Sequence, residues 1–461
     1  MTSAIDPAAP GRPHELGRTL LPRHIAMITL GGVIGAGLFV GSSAAIAAAG
    51  PAALFSYVIA GAIVFVVMRM LGEMALVHPQ VRSFSEFARA GLGNAGGFIA
   101  GWLYWYFWIV VVPIEAIAGA QILRLWFDVP VWQIGLVLMA LMTAVNLLSA
   151  RSYGEFEFWF SSIKVAAIVA FIAVTAAYAF GFTSPRGSTW SNLYAHGGGF
   201  APRGWVPVVA AVTTVFFSMV GPEITTVAAA ESKDPEKAVV RMATSISWRI
   251  LFFYVVSLFL IVSVVPWTSI VPGESPFTLA LNVMGFDWGS AAMSFVILTA
   301  VLSCLNSAVY VCSRVLHVLA DRGDAPRWLV EVDARRVPAR SIWLGSIVGV
   351  AGVVLAIVSP NAVFAFLVSS SGTVIVFVYL MIAVAQVRLR RRHPETETKA
   401  VRVWLFPWLS YATIAGMAGV LVAMALTPGL ASQLWFSVLA LAVIAGACVL
   451  RYRPQAIVAD R

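Results

Sequence analysis

Charge is what this sequence has least of. Asp, Glu, Lys and Arg supply 11% of its 461 residues while 60% are hydrophobic, against about a quarter charged in an ordinary soluble domain. With a mean hydropathy of +0.89, that shortage excludes a soluble globular fold. It leaves an all-α polytopic membrane protein whose apolar runs cross a lipid bilayer as helices. Acidic residues are scarcer than basic ones, 21 against 30, for a net charge of +9. The basic residues sit in short stretches between apolar runs, so the excess calls for no nucleic acid. Cysteine is down to three residues, Cys304, Cys312 and Cys448. All fall inside apolar runs without ligand or pairing spacing, which leaves neither a disulfide framework nor a zinc site. Also missing are a nucleophile–base motif, a nucleotide-binding loop and a metal cluster, so neither an enzyme nor a cofactor is expected. Nor is a cleavable signal peptide, because residues 1–23 are polar and end directly at the first apolar run.

Apolar sequence fills the chain instead. Twelve stretches are long and hydrophobic enough to cross a bilayer as helices, near 25–47, 52–77, 98–126, 131–149, 157–181, 206–230, 246–266, 287–318, 340–358, 361–386, 404–427 and 433–451. Threaded from a cytoplasmic N-terminus, they put nearly all basic residues on one face. Arg12, Arg18 and Arg23 precede the first stretch, Arg82 and Arg89 follow the second, and Lys233, Lys237 and Arg241 follow the sixth. Five arginines from Arg322 to Arg340 follow the eighth, and Arg388, Arg390, Arg391, Arg392, Lys399 and Arg402 follow the tenth. Arg451, Arg453 and Arg461 close the chain, and only Arg124, Arg186 and Arg203 face the other side. This asymmetry predicts twelve spans with both termini in the cytoplasm. Between spans, Ser83–Gly93 and the segment around Asp324–Val332 read as short interfacial helices. The run RLRRRH, Arg388–His393, reads as a topology anchor beside lipid headgroups.

Two of the stretches are poor regular helices. In the first, GGVIGAGLFVG runs from Gly31 to Gly41, five glycines in eleven residues; each costs up to about 1 kcal/mol against alanine in a helix. A break there frees the amides of Gly35, Ala36, Gly37 and Leu38 at the mouth of a second half-helix, whose positive dipole end favours a carboxylate. The same glycines form GxxxG pairs, Gly31/Gly35 and Gly37/Gly41, which would let two membrane helices approach closely. In the sixth, Gly221–Pro222 sits near the middle; proline removes a backbone donor and pushes the preceding residue out of helical geometry. A simple proline kink is the alternative. Breaks in spans one and six point to two inverted five-span repeats around a site at the bilayer midplane. The expected organisation is a cytoplasmic tail over 1–24, a first repeat over 25–181, an inverted second repeat over 206–386, two further spans over 404–451 and a tail over 452–461.

A charge at mid-membrane costs about 2.5–3.5 kcal/mol on insertion scales, which makes each one a marker. Arg69 and Glu73, four residues apart, are expected to pair with each other. Glu115 in span three, Lys164 in span five and Glu223 just after the second break have no partner in their own helices. Each either meets a partner in the bundle interior or serves a ligand or a proton. Asn306 and Ser307 in span eight are candidates to line the same cavity, or simply to hold helices together.

From Arg23 to Arg451 the chain carries GGVIGAGLFVGS, RMLGEMA, YGEFEFWFSSIKV, AAAESKDPEKAVVR, SCLNSAVY, SRVLHVLADRGDAP and LFPWL. In these long collinear motifs it resembles the amino acid–polyamine–cation superfamily, within it the bacterial amino acid transporters. The wording around GWLYWYFWIVVVPIEA and FFSMVGPEITTVAAAES is closest to permeases of 4-aminobutyrate (GABA); relatives for proline, aromatic and basic amino acids share the scaffold. The resemblance implies a 5+5 inverted repeat with discontinuous helices 1 and 6, alternating access, and proton-coupled import of a zwitterionic amino acid across the bacterial inner membrane. Carried over by motif, the substrate carboxylate sits on the backbone of Ile34, Gly35, Ala36 and Gly37, and its ammonium on carbonyls around Phe217, Ser218 and Val220. Gly221 and Glu223 shape that break, and Glu115 is expected to reach the amine. Lys164, with Asn306 and Ser307, takes the place where sodium-coupled cousins hold an ion between spans one and eight, and is expected to couple the proton. From another class, the alternative is a non-transporting nutrient receptor, which would usually add a sizeable soluble signalling domain.

Overall fold

The computed structural model describes residues 20–77, 83–185, 187–228, 235–392, 401–427 and 430–452. Arg12, Arg18, Arg82, Arg186, Lys233, His393, Lys399, Arg453 and Arg461 lie outside them, as do most of the two tails. The described residues are helical throughout and contain no β-strand. In chain order they form α1 (Pro22–Val33), α2 (Ala36–Phe39), α3 (Ser42–Ala49), α4 (Ala53–Val77), α5 (Phe84–Leu123), α6 (Val131–Leu148), α7 (Ala150–Ala179), α8 (Trp205–Met219) and α9 (Ile224–Ala228). Then follow α10 (Pro235–Arg241), α11 (Ser247–Val264), α12 (Pro276–Val283), α13 (Asp287–Asp321), α14 (Ala339–Leu355), α15 (Pro360–Arg392), α16 (Trp408–Leu426) and α17 (Ala431–Arg451). Ten helices among the described residues are long and apolar enough to cross a membrane. One of the ten, Ala36–Val77, counts once although it turns at Gly50–Ala52 and joins two of the apolar stretches. α14 is apolar but shorter, at 17 residues.

Both expected breaks are present. The first apolar stretch divides into α1, α2 and α3, and the sixth into α8 and α9. α1 packs against α9, while α2 and α3 pack against α8. The first half of one broken span thus lies beside the second half of the other, so the two run antiparallel. α5, α13 and α15 form the most enclosed part of the bundle around them. α16 and α17 sit at the periphery, where Val422, Leu426, Trp435, Phe436, Leu439 and Val443 are exposed. An apolar surface that extensive suits lipid rather than water.

The connecting segments differ from the sequence expectation in three places. Ser83–Gly93 is helical, capped by the Ser83 hydroxyl accepting from Glu86 N–H at 3.4 Å, and it runs on into span three as the leading part of α5. Gly93, at φ 82°, marks the joint. The segment after Asp324 makes only a single 3-10 turn, Arg327–Leu329, because Pro326 starts it and Val330 ends it. Arg388–Arg392 extends α15, and Arg390 reaches Glu73 at 3.2 Å instead of standing free for headgroups.

Glu73 is therefore not the partner of Arg69. Its carboxylate accepts from Arg390, from Gln386 Nε2 at 3.3 Å and from Val403 N–H at 2.8 Å. Arg69 donates to the Arg402 carbonyl at 2.8 Å and lies 4.0 Å from the Trp404 ring. One turn of helix allows the two side chains to meet, but the segment 401–407 folds back over this end of α4 and offers each a better-placed partner. A second polar cluster ties α5, the turn after α13 and the end of α17. Arg89 pairs with Asp324 and Glu86, Tyr452 donates to Asp324 at 2.7 Å, and Trp102 Nε1 donates to the Asp324 carbonyl at 3.2 Å.

This arrangement predicts the outcome of two double-mutant cycles read by thermal unfolding in detergent. Contacting residues couple by roughly 0.5–3 kcal/mol, so Glu73→Gln with Arg390→Gln should show a coupling in that range. Glu73→Gln with Arg69→Gln should show clearly less. The reverse ranking would restore the intrahelical pair.

Candidate functional site

The first break is two residues long. α1 ends at Val33; Ile34 (φ −83°, ψ 92°) and Gly35 (φ −137°, ψ −151°) are extended, and the helix resumes at Ala36. In an apolar surrounding every backbone group released this way needs a partner, and side chains from four other helices supply them. The Ile34 carbonyl accepts from Lys164 Nζ at 3.0 Å. The Val33 carbonyl accepts from the Tyr254 hydroxyl at 2.9 Å, and the Gly32 carbonyl from the Cys304 thiol at 3.6 Å. Ala36 N–H donates to both oxygens of the Glu115 carboxylate, at 3.3 and 3.2 Å. Of the four amides expected at the mouth of the second half-helix, Leu38 N–H is used within the turn, to Gly35 O at 3.3 Å. The Ala36 amide already holds a carboxylate, the protein's own.

In the second break, α8 ends at Met219, Val220 is extended (φ −71°, ψ 146°) and Gly221 has a φ of 132°. Only glycine adopts that φ readily, and a Cβ there would lie 2.9 Å from both C and O of Gly32. The two breaks cross in contact. Gly37 makes a second close approach: its added Cβ would stand 2.7 Å from Ser218 Cα. The glycines of the first break thus serve both readings, opening the helix and admitting the opposing backbone. Ser218 Oγ donates to Gly37 O at 2.8 Å, and the Tyr254 hydroxyl lies 2.6 Å from Ser218 O. Tyr254 has one proton for two carbonyls, one from each break, and can serve either.

Glu223 closes its own break. Its carboxylate accepts from Gly221 N–H at 3.0 Å, from the Tyr379 hydroxyl at 3.0 Å and from the Tyr104 hydroxyl at 3.3 Å. It is fully buried between α5 and α15 and does not line the cavity described next.

That cavity, with room for about 10 Å³, lies between the two breaks and α5. Of the residues that the resemblance assigned to substrate, Gly37, Glu115, Phe217 and Val220 line it; Ile34, Gly35, Ala36, Ser218 and Gly221 belong to the adjoining backbone of the two breaks. Phe107, Trp108 and Cys304 also line it, and the sequence reading did not single them out. Trp108 and Phe107 precede Glu115 by seven and eight residues, two helical turns on one face. Helical phase from Glu115 was the signal that could have found them.

Lys164 reaches the first break but is not among the residues lining this cavity. Besides Ile34 O, its Nζ donates to Ser303 Oγ at 2.8 Å. The sequence reading favoured Ser307, one turn further on; Ser307 instead bonds the Tyr153 hydroxyl at 2.9 Å. Asn306 faces α6, where Asn146 Nδ2 donates to its Oδ1 at 2.8 Å. Ser303 in turn donates to Glu157, a fully buried carboxylate of α7 that the sequence reading passed over.

The model of the amino acid permease family matches residues 24–453. The chain is 44% identical to a gamma-aminobutyric acid permease of Bacillus subtilis, over 95% of this chain and 93% of that protein. It is 41% identical to a gamma-aminobutyric acid permease of Escherichia coli, with 90% of each covered. To an aromatic amino acid transport protein of Escherichia coli it is 36% identical over 91% of this chain and 92% of that one. A solved structure of a manganese transporter from Eremococcus coleocola superposes with a TM-score of 0.57 over 93% of both chains at 12% identity, a likeness of fold alone. With two broken antiparallel helices crossing at a small buried cavity, and a family match over nearly its whole length, the chain belongs to the amino acid permeases.

Proposed function

We propose that the protein is a proton-coupled symporter that imports a zwitterionic amino acid, GABA, by alternating access across the bacterial inner membrane. In this reading the chain makes twelve spans with both termini cytoplasmic, and spans one to five (25–181) and six to ten (206–386) are the inverted repeats. Similarity to GABA permeases over nine-tenths of both chains supports the substrate. The observation that carries the mechanism is the Glu115 carboxylate on the Ala36 amide. A substrate carboxylate arriving at the first break takes over that amide, and Glu115 is released toward the cavity it lines. There it accepts the substrate's ammonium. In GABA the amine stands further from the carboxylate than in an α-amino acid, so a side-chain acceptor across the cavity matches its length. Carbonyls before the second break, around Phe217 to Val220, form the other side of that seat, at the negative end of α8.

Lys164 joins α7 to the first break and to α13 in one contact. Charged, it holds the freed Ile34 carbonyl; neutral, it has fewer donors to hold the same groups. Gain and loss of its proton therefore bias which side of the carrier opens, as coupling requires. A second reading rests on the lining itself: Phe107, Trp108 and Phe217 would also accept an aromatic side chain, and aromatic amino acid transport proteins are among the relatives. Counterflow of labelled GABA in proteoliposomes, competed by GABA, proline or phenylalanine, separates these. Competition by phenylalanine or proline but not by GABA would overturn the substrate assignment.

Three variants test the site. Gly37→Ala places a methyl 2.7 Å from Ser218 Cα; overpacking of roughly 1–3 kcal/mol should lower GABA uptake about ten-fold or more at normal membrane abundance, and unchanged uptake would remove Gly37 from the site. Glu115→Gln should raise the KM for GABA about ten-fold, the loss of one charged hydrogen bond, and should affect α-amino acids less. Equal losses would make Glu115 structural. Lys164→Ala should retain counterflow yet lose accumulation driven by a pH gradient, whereas accumulation with undiminished pH dependence would rule the lysine out as the coupling group.

A further inference from the structure

Beyond the substrate cavity, α7 and α13 enclose a second buried polar cluster. Glu157 precedes Lys164 by seven residues, two turns on one face of α7 and about 10 Å along its axis. Both side chains are fully buried. Ser303 lies between them, accepting from Lys164 Nζ at 2.8 Å and donating to Glu157 Oε1. Ser161 Oγ stands 3.1 Å from the same oxygen and 2.9 Å from Met27 O, which fastens α1 over this carboxylate. The other oxygen, Oε2, is buried with no hydrogen-bond partner. Ser303 donates to Oε1, so a proton passed along this hydroxyl arrives on that oxygen. Lys164 is the charged group that faces Glu157; Lys164 itself also faces Glu115 of α5 and the Cys304 thiol of α13.

We propose that Glu157 is the inward proton acceptor of Lys164, reached through Ser303, and that the coupled proton leaves toward the cytoplasm from this carboxylate. The inference rests on the reading of Lys164 as the coupling group. The step balances within the cluster. One Lys164 N–H bond breaks as a new O–H forms on Ser303, and the original Ser303 O–H breaks as an O–H forms on Glu157. An ammonium–carboxylate pair becomes an amine and a carboxylic acid, the serine is unchanged, and net charge stays at zero throughout. Such a transfer avoids the cost of leaving one buried charge without its counterion. It also places the proton nearer the start of α7, under α1. When α1 moves away on inward opening, water reaches Glu157 and removes the proton; Lys164 takes up the next one from the outward-facing state. Lys164 donates to Ser303 and Ser303 donates onward, so the path is in place; its direction comes from water reaching Glu157 on inward opening and removing the proton.

The test compares Glu157→Gln, Glu157→Asp and Lys164→Ala in proteoliposomes loaded with a pH indicator. Labelled GABA is followed by counterflow and by accumulation under an inward proton gradient. Glutamine can accept from Ser303 but cannot take a proton there. Glu157→Gln should therefore keep counterflow, while GABA-dependent proton entry and gradient-driven accumulation fall at least ten-fold. Aspartate keeps a titratable group and should restore part of both. Should Glu157→Gln couple normally while Lys164→Ala does not, the relay is overturned and the lysine reading stands. If both couple normally, the lysine reading falls and the relay with it. Loss of counterflow in Glu157→Gln, or an aspartate variant that counterflows but couples no better than the glutamine one, makes Glu157 structural and overturns the relay.

Discussion

A helix broken inside a membrane must find partners for every backbone group it releases, because hydrocarbon supplies none. The interior polar chemistry of this bundle follows from that demand. The first break is held by Lys164, Tyr254, Cys304 and Glu115, the second by Glu223 and Tyr254. These side chains come from α5, α7, α11 and α13 and from the turn just before α9, so two local interruptions of helix recruit residues from four other helices. Glu223 shows the purely structural form of the solution. It is enclosed by two tyrosine hydroxyls and the Gly221 amide, and nothing in that arrangement is left for a ligand.

The first break is held differently, and there structure passes into function. Its partners are side chains whose charge or position can change: a carboxylate that lines the cavity, and a lysine joined through a serine to a second carboxylate. In the proposed mechanism a substrate carboxylate competes with Glu115 for the same amide. A change in the protonation of Lys164 alters the donors available to the Ile34 carbonyl. Both events act on one two-residue segment, Ile34–Gly35, which is the joint between α1 and α2. Binding and protonation are thereby brought to the same mechanical element without a long path between them, which is the physical warrant for coupling two ligands.

Much of this was legible in the residues. Five glycines in eleven and a Gly–Pro pair located both breaks, and the isolated charges at 115, 164 and 223 identified three of the groups that serve them. The reasons are local: glycine and proline act on the backbone where they stand, and a lone charge in an apolar run stands out without knowledge of its neighbours. What escaped was tertiary. Arg69 and Glu73 satisfy the spacing rule for a pair, yet a segment more than 300 residues later offers each a different partner. Tyr254 looks like any tyrosine in an apolar span until the two breaks are brought against it. Glu157 lay hidden because YGEFEFWF holds two glutamates near the start of a span, where charge reads as interfacial; only the position of Ser303 shows that one of them is interior.

The close crossing of the two spans sets how far the site can be altered. Gly221 meets Gly32 and Gly37 meets Ser218 at distances that admit no further carbon, so the crossing itself is set by backbone contact between the two broken spans. The residues that face the cavity without forming the crossing are Glu115, Trp108 and Phe107 on α5, and Phe217 on α8, and their side chains can change without disturbing it. Under the proposed function, such a division would let the backbone crossing hold the substrate's carboxylate and ammonium while the lining side chains set length and bulk. Under that same function, selectivity would fall to α5, in the two turns of helix ending at Glu115, and the proton to α7 and α13, which meet the same break through Lys164 and Ser303.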